Sequence, residues 1–468
     1  MIAPYKIRPH APHMSILLAH DEAVCECGLH FHPSQVPKES KVWCSHELAS
    51  RLLAAGKGEA LAWNGTRIRW RAKSSNDDFW PVSVMQIPFP DDPDDQLEGL
   101  VRWRDWLVGY GASCQASLGS ASWSLLRASL EETLWTGVGS VPPIQFTMGG
   151  RIELGPMGPG EWWGVEHWDF QAAYAYTLGR LEYGGRWLRD ETRLDRTMAI
   201  RHLERGGTGF VRAKILIPRM LSGPLVERPK TYQGSLSSLL PTNYPHGVAL
   251  TGIWTWQEIE AALAAGCKIL KVLDVYLHLV PEGNRFPFRQ WWERVLEGRS
   301  LGGFAGLLAK ATGNALWGQF ALVPKGHRQI MSYYRASDGR AQRYVRNVPR
   351  RGQRPGAPDL TETITGRVRA QAFRFMLGTG QRLLSVHTDG GWVLAGESWL
   401  PPRGMRMKQE AERIQVLGAQ CLRYWPVDKF GDPPKDPVTI VAGWPPQLAD
   451  ETFDQLWEEN HVGSTLGQ

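Results

Sequence analysis

The chain is predicted to be a mixed α/β protein of the α+β kind, and three observations predict it. Segments that alternate apolar and polar residues are interspersed with segments that repeat at helical spacing. With 468 residues, 43% hydrophobic and 21% charged, the chain has material for more than one folded core. No internal repeat is visible, which excludes solenoids and arrays. No apolar run of about 18 residues and no signal-type hydrophobic stretch occurs, so a cytoplasmic protein without a membrane partner is expected. Six scattered cysteines do not form a disulfide framework and are expected to be free thiols.

The elements follow in order. The acidic, turn-rich stretch Pro88 to Asp95 interrupts the N-terminal region. Leu97 to Leu130 is expected to be helical, because Leu100, Trp103, Leu107 and Tyr110 recur at helical spacing. An irregular stretch then ends in Met148-Gly149-Gly150-Arg151. Trp162 to Phe170 alternates as a strand through Trp163, Val165 and His167, and Phe210 to Pro218 does so through Val211, Ala213, Ile215 and Ile217. Thr255 and Glu258 make a capping box for a helix bearing Ile259, Ala262 and Leu263, which Gly266 stops. Lys268 to Val280 alternates again. Phe288 to Phe320 is expected to be two helices joined at Gly302-Gly303, and 321–362 a basic loop region. Thr365 to Leu377 is a predicted helix. Leu383 to Thr388 is a strand ending at Asp389, with Trp392 to Leu394 its return after Gly390-Gly391.

The net charge of +6 is unevenly placed. Between Lys325 and Arg354 stand nine basic residues, among them Arg343, Arg346, Arg350 and Arg351, against one acid, Asp338, for a local charge of +8. Such a block points to a polyanionic partner.

Three separated segments carry the chemistry: Asp169-Phe-Gln-Ala-Ala-Tyr-Ala175, Lys310-Ala-Thr-Gly-Asn-Ala-Leu-Trp-Gly318 and Val386-His-Thr-Asp-Gly390. The first and third each end a strand with an Asp, and two such carboxylates side by side are what two-metal phosphoryl transfer requires. In the middle segment Lys310, Asn314 and Trp317 share one helix face. A cation, an amide and a flat ring on one face suit a triphosphate and a base.

At these residues the sequence resembles the family B DNA polymerases. Asp169 and Tyr174 match their motif Asp-x-x-Ser-Leu-Tyr-Pro, with Ala172 in the small position. Lys310, Asn314 and Gly318 match Lys-x-x-x-Asn-Ser-x-Tyr-Gly. Thr388 and Asp389 match Tyr-x-Asp-Thr-Asp-Ser, with His387 in the place of its first Asp. Gly149-Gly150-Arg151 is similar to the linker motif of the protein-primed branch of phages and mobile elements. The motifs keep the family's order and cover about residues 100 to 430.

The resemblance implies a right-hand polymerase with palm, fingers and short thumb, plus a reduced N-terminal domain. The segments it implies are an N-terminal domain (1–115), a linker helix and first palm part (116–200) and a palm extension (201–283). Fingers (284–320), a basic DNA-contacting insertion (321–362), a second palm part (363–400) and a thumb (401–468) complete it. Two Mg²⁺ ions, or Mn²⁺, would be held by Asp169, Asp389 and the carbonyl of Phe170. His387 would shift the preference toward softer ions. Lys310 and Arg299 would bind the incoming phosphates, Asn314 and Trp317 would line the base pair, and Tyr174 would exclude a ribose 2′-hydroxyl. Gly149, Gly150, Arg151, Arg343, Arg346, Arg350, Arg351, Arg423 and Tyr424 would contact DNA, the last two as the pair that supports the primer. The implied partners are template-primer DNA, deoxynucleoside triphosphates and a terminal or priming protein. The alternatives are a catalytically silent DNA-binding accessory protein and a primase-polymerase.

Residues 1–145 contain no Asp-x-Glu, the acidic motif of the family's nuclease domain, and Asp105 alone cannot hold two metals, so no proofreading is expected. Cys25, Cys27, His30 and Cys44 are zinc-type ligands, although their spacing departs from the common zinc patterns.

Overall fold

The computed structural model describes residues 92–113, 118–130, 142, 144, 148–189, 196–227, 243–280, 286–320, 357–396, 401–427, 436–441 and 449–459, together with the backbone of the further strand and helix residues named below. The chain forms two units. The first comprises Met1–Leu130, Gln290–Gln319 and Lys325–Arg351, and the second the remainder.

The first unit begins with a seven-stranded mixed sheet of β1 (Ser15–Ala19), β2 (Glu22–Cys25), β3 (His30–Phe31), β4 (Lys41–Ser45), β5 (Ala60–Trp63), β6 (Arg67–Trp70) and β7 (Trp80–Met85). Their order is β3-β2-β1-β4-β7-β6-β5, with β4 parallel to both β1 and β7. Cys25, His30 and Cys44 lie on its strands, but their side chains, and all of Cys27, lie outside the described residues.

Two helices follow where one was expected: α1 (Pro93–Gly109) and α2 (Leu118–Ser129). The acidic stretch does not merely interrupt the chain; it starts α1. Asp92 caps it by accepting from the Asp94 amide at 2.8 Å, Pro93 occupies the first turn, and Asp94 and Asp95 face the positive end of the helix dipole. Gly111, at φ 71°, turns the chain out of α1. Helices α6 (Arg289–Ser300) and α7 (Gly303–Phe320) pack with these and meet at Gly302 and Gly303, both left-handed. Trp103 and Leu107 of α1 are fully buried, and the Trp103 indole donates to Thr312 of α7 at 3.0 Å.

Between α7 and the next helix the expected loop is a two-stranded antiparallel ribbon of β14 (His327–Arg335) and β15 (Ala341–Pro349). The charge of the segment masked its β-forming residues, Ile330, Tyr333, Tyr334, Tyr344, Val345 and Val348. Arg343 stands opposite Tyr333, and Arg346 opposite Ile330. Arg350 and Arg351 lie outside the described residues.

Among the described residues, the second unit holds two sheets. The four-stranded one has the order β10-β13-β11-β12, from β10 (Arg186–Arg189), β11 (Thr208–Ile217), β12 (Val248–Thr255) and β13 (Lys268–Leu279). Val211, Ala213, Ile215 and Ile217 are fully buried, while Arg212 and Lys214 face outward, as the alternation predicts. Helices α4 (Arg196–Glu204) and α5 (Trp256–Ala264) share that core.

The second sheet has seven strands in the order β20-β19-β18-β9-β17-β16-β8. They are β8 (Arg151–Leu154), β9 (Gly160–Phe170), β16 (Leu383–Thr388), β17 (Gly390–Leu394), β18 (Met405–Gly418), β19 (Cys421–Pro426) and β20 (Val438–Val441). The segment expected as a short thumb adds three strands to the sheet of Asp169 before α9 (Pro446–Thr465). In β9, Trp163 and Val165 were expected on one face. Gly164 at φ 61° breaks the alternation, leaving Trp163 60% exposed and Val165 buried beside Trp162.

Helix α8 (Pro358–Thr379) is longer than expected and packs on β16 and β17 with Ala372, Phe375 and Met376. Its first turns look polar in sequence, yet Thr361, Thr363 and Thr365 are buried. Each hydroxyl is satisfied by the backbone carbonyl four residues earlier. Among the described residues no helix is long and apolar enough to cross a membrane.

Candidate active site

The ends of β9 and of the β16–β17 hairpin bring two carboxylates together. Asp169 is paired in register with Gly390, and the Phe170 amide donates to the Asp389 carbonyl at 3.0 Å. Antiparallel neighbours stand about 5 Å apart at Cα, so Asp169 and Asp389 come from adjacent positions. Gly390 is required by this approach, because a Cβ there would run into the Trp168 carbonyl oxygen and come within 2.9 Å of the Asp169 Cα.

Two non-glycine residues flank the carboxylates in the left-handed region: Thr388 at φ 55° and Ala172 at φ 54°. Such conformations cost about 1 kcal/mol or more each and persist where surrounding structure imposes them. Thr388 turns the chain so that its hydroxyl donates to Asp389 Oδ1 at 2.7 Å. Ala172 starts α3 (Ala173–Gly179), whose first turn buries Tyr174.

Charge is unevenly balanced here. Burial, and then the negative charge of Asp169, push the Asp389 carboxyl up to about 6. A cation stands nearby: Lys408 Nζ lies 3.9 Å from Asp169 Oδ2, with its side chain half exposed. Lys408 is the extra residue of a bulge where β18 pairs with β9. Burial pushes the Tyr174 hydroxyl well above its ordinary range, with Asp389 adding to the effect.

His387 and His167 complete the surroundings. His387 Nε2 is 2.8 Å from Ser385 Oγ, and His167 stacks on Trp392 at 4.7 Å between centroids. Burial, assisted by Lys408, pushes His387 down to about 4 and His167 to about 3, so both imidazoles are neutral near pH 7. The position of His167, two residues before Asp169 on a strand, was a usable signal. Lys408 gave none, since only the bulge brings it there.

Of the other expected site residues, Gly150 sits against this cluster: a Cβ on it would lie 2.5 Å from the Tyr174 hydroxyl and 2.9 Å from Thr388 Cα. Arg151 does not face outward as a DNA contact. It is fully buried, ion-paired with Glu153 and donating to Ser222 Oγ at 2.6 Å and to the Gly223 carbonyl at 2.8 Å. Arg423 is also turned away, toward α9, donating to Asp454 at 2.6 Å and lying over Phe453. Tyr424 spends its hydroxyl on Gln409 at 3.4 Å. In the first unit, Lys310, Asn314 and Trp317 share the less buried face of α7, whose opposite face buries Leu308, Thr312 and Leu316, and Arg299 is in the last turn of α6. Asp105, on α1, pairs with Arg104 at 2.6 Å.

The donor set suits a hard divalent cation. Two carboxylates, one of them with its proton affinity raised by burial and then by the other, are a site that a cation would relieve, and Mg²⁺ commonly takes one or two carboxylates with substrate phosphates. Among the described residues no group of three or more His, Cys, Asp or Glu side chains is arranged to hold a metal by itself.

No family model matches the chain, and no curated protein matches it. The solved structures define the fold as polymerase-like. The chain is similar to phi29 DNA polymerase complexed with primer-template DNA, with 12% identity over 94% of each chain and a TM-score of 0.56. It is similar, at a TM-score of 0.55, to the same polymerase with primer-template DNA and incoming nucleotides (12% identity) and with single-stranded DNA (10%), again over 94% of each chain.

Proposed function

We propose that the chain is a template-directed DNA polymerase of the family B kind, adding deoxynucleotides to a primer 3′-hydroxyl in phage or mobile-element replication, without proofreading. The observation that carries this reading is the juxtaposition of Asp169 and Asp389 at adjacent positions of paired strands, where burial and then the charge of Asp169 push the Asp389 carboxyl up. The polymerase-like fold supports it independently.

Asp169, Asp389 and the Phe170 carbonyl would hold two Mg²⁺ ions. Bound there, the metal supplies a lowered pKa at the primer hydroxyl and charge neutralisation at the triphosphate. The chain's own residues do the rest. Tyr174 is locked beneath Thr388 and Gly150, where its ring would meet a ribose 2′-hydroxyl. Lys310 and Arg299 supply positive charge for the phosphates, and Asn314 and Trp317 supply an amide and a ring for the nascent base pair. Lys408 offers a further cation beside Asp169. The ribbon β14–β15 carries Arg328, Arg335, Arg343 and Arg346, a charge density suited to phosphates rather than to bases.

Primer extension tests this directly. On a short primed template with Mg²⁺ or Mn²⁺, wild type should extend with deoxynucleotides and Asp389→Ala should not. A wild type that binds DNA but never extends would overturn the reading in favour of a silent accessory protein. Synthesis from nucleotides alone on an unprimed strand would favour a primase-polymerase.

A further inference from the structure

We propose that Arg369, acting through the backbone of Met148 and Gly149, is a positioning residue for the sugar-selecting tyrosine, Tyr174. The inference rests on the polymerase reading and deepens it.

Arg369 is fully buried in α8 and spends its whole fork. Nε donates to Glu258 Oε1 at 2.8 Å, Nη2 donates to Glu362 Oε1, and Nη1 donates to the carbonyls of Met148 and Gly149, each at 3.0 Å. Glu362 in turn accepts from the Met148 amide at 2.9 Å. The linker is thus gripped on both its donor and its acceptor sides. Glu258 is itself fixed, because its second oxygen takes the Thr255 amide at 3.0 Å and the Thr255 hydroxyl at 2.9 Å in the cap of α5.

On the other side of Gly150 stands Arg151. Its guanidinium holds Glu153, Ser222 and the Gly223 carbonyl and lies 3.8 Å over the Tyr244 ring. Gly150 is therefore suspended between two buried arginines. At that residue the linker has no room to spare against the Tyr174 hydroxyl and Thr388, the neighbour of Asp389. A shift in the linker would move the backbone against which the Tyr174 hydroxyl packs, and with it the clearance left for a 2′-hydroxyl.

Packing alone does not account for the cluster. Buried ion triads are often no more stabilising than apolar side chains of the same volume, so a core that only had to be filled needed none of these charges. What a guanidinium offers and an apolar chain does not is a rigid planar fork that sets two carbonyls and two carboxylates at once.

The test compares kcat/KM for deoxy- and ribonucleotides in wild type and Arg369→Lys, with thermal melting of both. Lysine keeps a charge between the glutamates but lacks the fork. The deoxy-over-ribo ratio is expected to fall by about tenfold while extension and melting persist. A purely structural role would lower both activities alike, so an unmoved ratio in folded, active Arg369→Lys overturns the proposal. Should that variant not fold, Glu362→Gln, which keeps the shape but withdraws the charge facing Met148, decides by the same ratio. A wild type inactive with both nucleotides overturns the polymerase reading and this inference with it. An active wild type with an unmoved ratio overturns the inference alone.

Discussion

Two pairs of carboxylates lie in the second unit, and they are opposites. Glu258 and Glu362 are fully buried, yet the Arg369 fork, the Thr255 cap and the Met148 amide satisfy them. Asp169 and Asp389 are less deeply buried, yet the cation beside them is a half-exposed lysine 3.9 Å away, and one carboxyl is pushed up to about 6. Saturated charge builds a scaffold. Two carboxylates held close enough that one raises the other's proton affinity, on top of burial, mark a place where a cation is expected to bind.

The comparison breaks most visibly if the two pairs respond alike. Asp169→Asn and Asp389→Asn should each lower primer extension by about a thousandfold or more, the loss expected when carboxylates that anchor catalytic charge are removed. Single-turnover extension measures this. Stability should move in opposite directions. Arg369→Met strands two buried carboxylates and should cost about 3–5 kcal/mol. Asp389→Asn removes a buried charge and its repulsion with Asp169, and in metal-free buffer should gain about 1–3 kcal/mol. Paired melting curves settle the signs, and a destabilised Asp389→Asn would refute the contrast.

His278 sharpens the comparison, being a buried titratable group that neither pair controls. It sits between the rings of Tyr183 and Trp187, each at 4.7 Å, and burial pushes it from 6.5 down to about 4 against the opposing pull of Asp359. Above pH 6.5 both folded and unfolded chains hold it neutral and its contribution is full. Between 6.5 and about 4 the unfolded chain takes up a proton that the fold refuses, so stability falls with pH by roughly 3 kcal/mol across that window. His278→Phe should flatten this slope in melting curves collected across the window.

The smallest effect belongs to Lys408. Because it is half exposed, its influence on Asp169 is screened. Lys408→Met should lower the Mg²⁺ concentration for half-maximal extension by only about two- to fivefold. An increase instead would mean that the lysine holds substrate rather than competing with the cation.

Much of this was legible from residues alone. Asp169 and Asp389 lie at the strand ends where they were expected, although Gly164 interrupts the alternation of β9, and Lys310, Asn314 and Trp317 share a helix face because 3.6-residue periodicity needs no tertiary context. The Thr255–Glu258 cap was visible for the same reason. What escaped depends on contacts between distant segments. Arg369 and Met148 are 221 positions apart, and nothing local in either announces the other. Lys408 required a bulge, and Arg151 looked like a DNA contact because a basic residue after two glycines gives no sign of its burial. The first half of α8 was hidden by threonines whose hydroxyls bond back along the helix.

The central place of β9 has a consequence for how the protein is made. Its two neighbours, β17 and β18, begin at Gly390 and Met405, whereas β9 ends at Phe170. On a ribosome working at about 5–20 residues per second, both of its edges stay bare for roughly 10 to 45 seconds. A nascent strand bearing Trp162, Trp163 and Trp168 with open ladders invites intermolecular pairing. Glu161, Glu166 and Asp169, spaced among those rings, are the kind of gatekeeping charges that slow it. Asp169, proposed above for metal binding, would then serve first as a charge that keeps the nascent strand from pairing, and any truncation upstream of Gly390 would prolong that exposure indefinitely.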